Sequence, residues 1–291
     1  MMSTYTEMRY VKYILIFFFI LFSIHVKSNI IMINQDTSSD NSIITIHQDD
    51  TSDDSVIEIY QDQGENNQIY AQQRYIQSSK IELSQNGSQN DALIQQENII
   101  NSQLLIDQKG SNHSIDIEQI DGSDYTSTNL LQEGENHSIK LKQRSSLYAQ
   151  VNVEQYGSNH TTEVYQNDTK NSDISIRSSG NNNYTKSEQH HSFNDNTMID
   201  ISGNDNEVIT IQGNTLYESN DNLIDLSTDG NNNSVRLEQY GNDNKIEVDQ
   251  FGNNNNANIT QNGDGYDIYL MQEGNGGNID LCQGIDCDLD V

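Results

Sequence analysis

Gln239, Gln250, Gln261, Gln272 and Gln283 stand 11 residues apart, each step identical. A fixed period constrains a chain strongly, because every repeat must fold alike and meet its neighbours alike. Upstream, Gln35, Gln48, Gln61, Gln73, Gln85, Gln96, Gln108, Gln119, Gln132, Gln143, Gln155 and Gln166 continue the series at steps of 11 to 13. Ser178 and Thr228 occupy equivalent places, and two marks blur near Ser202 and Gln212.

Around each mark the pattern has period two. In "NKIEVDQ", Ile246 and Val248 precede Gln250 by four and two residues, with Asn244 six before it; in "HSIDIEQ", Ile115 and Ile117 do so before Gln119. Such alternation puts the end residue, two apolar residues and the glutamine on one face of a strand. Gly87, Gly110, Gly134, Gly157, Gly241, Gly252 and Gly274 each follow a mark by two. Glycine there suits a tight reversal that needs positive φ. The unit is strand, turn, strand, turn, and neither strand can bury its apolar face alone. Stacking solves this, and the expected architecture is all-β: a β-solenoid with two strands per coil and about 11 coils, cross-β in character.

Composition agrees. Only 33% of the 291 residues are hydrophobic, which argues against a thick globular core, and there is no tryptophan. Proline is absent as well, as expected where every backbone N–H is needed in a ladder. Residues 1–28 read as a secretory signal: Arg9 and Lys12 precede the apolar run "YILIFFFILFSI", and Val26 and Ser28 sit where a signal peptidase reads. An uncleaved anchor is the alternative, and export follows from either. The formal charge of −30 would repel phosphates, so nucleic acid is a poor partner.

The frame Ser79-x5-Gln85-x-Gly87-x-x-Asn90-x-Ala92-x3-Gln96 resembles the curlin repeat of the secreted amyloid subunits that bacteria assemble into curli fibres. Gln250-x-Gly252-x-x-Asn255-x-Ala257-x3-Gln261 repeats its second half, with Asn244 where the family usually has serine. Degenerate copies span residues 29–283, more coils than family members commonly have. The resemblance implies a subunit exported through a dedicated outer-membrane channel with accessory proteins. It also implies assembly outside the bacterial cell, with itself or with other curlin subunits, into a fibre for adhesion and biofilm matrix. The glutamine marks, with Ser79, Asn90, Asn244 and Asn255, are the expected inward-facing ladder.

Three features stand apart from the repeat. His113, His137 and His160 replace asparagine six residues before Gln119, Gln143 and Gln166, at steps of 24 and 23, which predicts a column. It could bind a transition metal, sense pH, or merely substitute in an amide ladder. Cys282 and Cys287 could close a C-terminal staple in the end segment 276–291, or link two chains. Residues 184–227 lose strict register and read as a degenerate stretch.

No cofactor is implied, and no phosphate loop, nucleophile elbow or His-Glu metal motif appears, so an enzyme is not expected. The alternative to a fibre subunit is a monomeric solenoid adhesin or ligand-binding repeat protein, which would need capped ends.

Overall fold

The computed structural model describes residues 21–25, 31–35, 42–48, 55–74, 79–213, 219–285 and 287. Every regular element among them is a strand, and all the strand pairs are parallel. Successive strands alternate between two sheets, one of 11 strands beginning at Ile31–Gln35 and one of 14 that includes two two-residue bridging strands, Ser192–Phe193 and Ser219–Asn220. The chain is therefore a two-sheet β-solenoid, with each coil pairing to the coils before and after it.

The register is the one the marks demand. Gln132 pairs with Gln108 and Gln155 on the first sheet, and Gln143 with Gln119 and Gln166 on the second. Alternating burial follows: in Lys245–Phe251, Ile246, Val248 and Gln250 face inward and Glu247 points away. The interior is thin. Ile57, Ile59, Ile81, Leu83, Leu104 and Ile106 on one sheet meet Ile69, Ala71, Ala92, Ile94, Ile115 and Ile117 on the other. Most of the stabilising burial comes from these rows, since each aliphatic side chain taken from water contributes about 1.5–3 kcal/mol.

Residues 184–227 need correction. Tyr184–Gln189 pairs with Thr161–Gln166 and with Glu207–Gln212, and Asn196–Asn204 pairs with Asp173–Asn181 and Leu223–Asn231, so the register runs through. The mark there is Ile201, facing Ser178 and Thr228, not Ser202. The pattern blurs for two reasons. Thr185, Ser187, Thr197 and Thr210 take buried core positions normally held by aliphatics, and the turn between Gln212 and Asn222 is longer than its counterpart between Gln189 and Asp195. Three of these hydroxyls find partners inside: Thr210 donates to Ser187 Oγ at 2.9 Å and Thr197 to Gln212 Oε1 at 2.7 Å, whereas that of Thr185 has none among the described residues.

Of residues 1–28, only Leu21–His25 is described; it forms a strand paired with Ile43–His47. The acidic turns "DTSSDN" and "DDTSDD" lie largely outside the described residues.

Candidate self-assembly interface

Each coil turns twice, and each turn carries its own polar device. On the second sheet the buried glutamines run as one chain of amides. Gln96 Nε2 donates to Gln119 Oε1 at 2.6 Å, and the sense is kept through Gln143, Gln166, Gln189, Gln212, Gln239 and Gln261 to Gln283. The first sheet carries a parallel chain, Gln61 to Gln85, Gln108, Gln132 and Gln155, at 2.8–3.1 Å. Ser178, Ile201 and Thr228 interrupt it, and Gln250 to Gln272 resumes it at 2.8 Å. An amide suits this position because it donates and accepts at once, so a buried column leaves its interior members satisfied.

The turns of the first edge close over stacked glycines. A Cβ on Gly87, Gly110, Gly134 or Gly157 would sit 1.9–2.0 Å from the carbonyl oxygen of the glycine one coil on, so no side chain fits. Gly180, Gly203 and Gly230 belong to the same column, although their marks lack glutamine; Gly241 lies over Gly263 on the opposite edge. Beside the glycines runs an asparagine clip. Asn90 Oδ1 accepts the backbone N–H of His113 at 3.1 Å, and its Nδ2 donates to Gly110 O at 3.1 Å. Asn255 does the same with Gly277 N at 2.9 Å and Gly274 O at 2.8 Å. Ser79 and Asn244 line the other edge: Ser79 Oγ donates to Gln96 Oε1 at 3.1 Å, and Asn244 Oδ1 accepts from Tyr266 N at 2.9 Å.

The three histidines are brought into one column with ring centroids 5.0 Å apart and planes within 7–9°. All three are buried, and burial lowers the pKa of each imidazole, that of His137 to about 4. Cys282 and Cys287 form an intrachain disulfide, Cα–Cα 5.4 Å. Among the described residues no cluster of three or more His, Cys, Asp or Glu is arranged to hold a metal ion.

The ends differ from the middle. In the last coil the core positions open: Ile268, Leu270 and Ile279 are only partly buried and Leu281 is 40% exposed, whereas Ile246, Val248, Ala257 and Ile259 one coil earlier are fully buried. A Cβ on Gly274 would meet nothing within 4 Å, unlike the glycines stacked before it. At the other end Ile31 and Ile33 are partly buried.

The family model of the curlin associated repeat matches residues 77–120 and 220–252, stretches that contribute to the inward ladder and to the turn glycines. Those two stretches are similar to curlin repeats. Comparison with curated protein sequences finds no match. The first matched stretch contains the Ser79–Gln96 frame and His113, so the histidine column begins inside a recognisable curlin repeat. Sequence reasoning missed Gly180, Gly203 and Gly230 because it located glycines from glutamine marks. The run "SSGNNN" beside Ser178 carried the missing signal.

Proposed function

We propose that this chain is the structural subunit of a secreted, curli-like amyloid fibre, growing end to end outside the cell and serving adhesion and biofilm matrix. The observation that carries this reading is the uncovered last coil. Ile268, Leu270, Ile279 and Leu281 present the same inward rows that coils bury everywhere else, together with strand edges able to pair. The amide ladders give the junction a direction. Their sense leaves the amide nitrogens of Gln272 and Gln283 as donors at the last coil, so a head-to-tail junction that offers them acceptors continues each chain of hydrogen bonds. Tail-to-tail contact would oppose donor to donor.

Export by a leader over residues 1–28 fits this scheme, because its removal would take away the Leu21–His25 strand and leave the Ile43–His47 edge without that pairing. A dedicated outer-membrane channel, accessory proteins and partner curlin subunits follow from the family resemblance. The test is growth of amyloid-dye fluorescence by residues 29–291 diluted from denaturant, with and without sonicated fibres. A lag abolished by seeds is expected. A stable, dye-negative monomer that ignores seeds would favour the capped adhesin.

A further inference from the structure

The glycine edge holds one stretch that differs chemically from the rest. Where Asn90 and Asn183 clip coils with an amide, His113, His137 and His160 do so with imidazole, and every ring nitrogen is engaged. Nε2 lies 3.0, 3.1 and 2.9 Å from the carbonyl oxygens of Lys109, Glu133 and Tyr156, contacts that place the proton on Nε2. Nδ1 then carries a lone pair. It accepts the backbone N–H of the residue one coil on: His137 to His113, His160 to His137 and Asn183 to His160, each at 3.3 Å. Ser178 Oγ also approaches His160 Nδ1 at 3.4 Å. With both nitrogens occupied, the rings have no lone pair left for a metal ion.

We propose that this column is an acid-released clasp: protonation of an imidazole at Nδ1 removes the acceptor that holds the next coil's backbone and opens the glycine edge between residues 110 and 183. Three consequences of the geometry act together. The N–H that donated to Nδ1 faces an N–H instead and loses its partner in a buried place. Rings stacked at 5.0 Å become like charges with little water between them. Neighbouring glycines leave no slack, since a Cβ at Gly110 would already stand 3.0 Å from His113 Nε2.

The charged groups around the column do not rescue it. Glu135 favours the charge on His113, but His137 has His113 and His160 as its charge neighbours, and these oppose it. Lys109, Glu133 and Tyr156 contribute backbone carbonyls, which the neutral ring already uses. Asparagine in the same position could not titrate, so the device exists only where histidine replaces it. It acts within a single chain and does not require that the chain polymerise.

Hydrogen exchange of the full chain, read by mass spectrometry and corrected for intrinsic pH dependence, tests this at pH 7 and at about pH 4.5 beside the triple variant H113N/H137N/H160N. The two proteins should be equally protected at pH 7. In acid the wild type should open around residues 110–114, 134–138, 157–161 and 183 by roughly a hundredfold more than the variant, since each unit of pKa displacement is a factor of ten in the linked equilibrium. Equal acid responses, or no acid response in the wild type, would overturn the clasp. Should the variant fail to fold, ring-carbon NMR of labelled histidines in the wild type decides. Titration well below 6.5 in step with amide deprotection supports the proposal, and titration near 6.5 with protection intact overturns it. Seeded growth fails or succeeds independently of these readouts.

Discussion

At the scale of single residues, the most informative departure is Asp195, which stands in the ladder column between Ser172 and Asn222. Its Oδ1 accepts both donors of Asn222, the backbone N–H at 2.9 Å and Nδ2 at 3.2 Å, as an asparagine would. A carboxylate at a fully buried position is costly, however. Burial pushes the Asp195 carboxyl above its ordinary range, against the hydroxyls of Ser219 and Ser192, which favour the charge. A folded carboxyl that keeps its proton to higher pH contributes stability in acid, and that contribution is lost as pH rises through the folded value. Asp195→Asn should therefore stabilise the chain by about 1–2 kcal/mol at pH 7 and by much less near pH 3, measured by urea unfolding at both. Equal gains at the two pH values would show that ionisation is not the cause.

At the scale of strands and turns, the architecture was legible because its signals are local and repeated. Ile246, Val248 and Gln250 announce an inward face by period two, and Gly252 announces the turn after it. Less legible was what stacking creates between coils. That Gly134 must be glycine follows less from its own φ of 131° than from Gly157 O, which a Cβ would approach to 1.9 Å. Gly134→Ala should accordingly cost roughly 3 kcal/mol or more and move the urea midpoint sharply. Gly122, on the other edge, has φ 81° and nothing within 4 Å of a Cβ; alanine there pays only the backbone term, and near-equal losses at the two sites would refute the stacking account. The stretch 184–227 misled for a related reason. A β ladder is held by backbone pairing, so Thr185, Ser187 and Ile201 can violate the side-chain pattern while Tyr184–Gln189 and Asn196–Asn204 stay in register. Hydroxyls paired with each other or with glutamine carry no hydropathy signal.

For the whole molecule, the distribution of charge governs how two copies meet. Beyond residue 28, lysine and arginine run only from Arg74 to Lys245, so the segments on either side are anionic without relief. Within the middle the outer face mixes signs. Asp116, Lys140, Glu163 and Lys186 follow one another coil by coil, and Lys142 bridges to Glu118 at 2.6 Å and Arg144 to Asp121 at 3.0 Å. Repulsion is thus concentrated at the two ends that the proposed head-to-tail junction would join. Raising salt from about 0.01 to about 0.15 M shortens the screening length from roughly 30 to 8 Å and should accelerate seeded elongation several-fold at pH 7. Acid acts twice and in opposite senses. Protonating the end carboxylates removes repulsion, while the lowered histidine pKa values mean that stability from the column, complete above pH 6.5, is lost as pH falls towards about 4. Near pH 5 the wild type should gain less from acid than from salt, and H113N/H137N/H160N should gain the full benefit of both. Elongation rates from sonicated seeds across that grid separate the terms: a wild type accelerated by acid as strongly as the asparagine variant would remove the histidine contribution, and rates indifferent to salt would remove the charged ends.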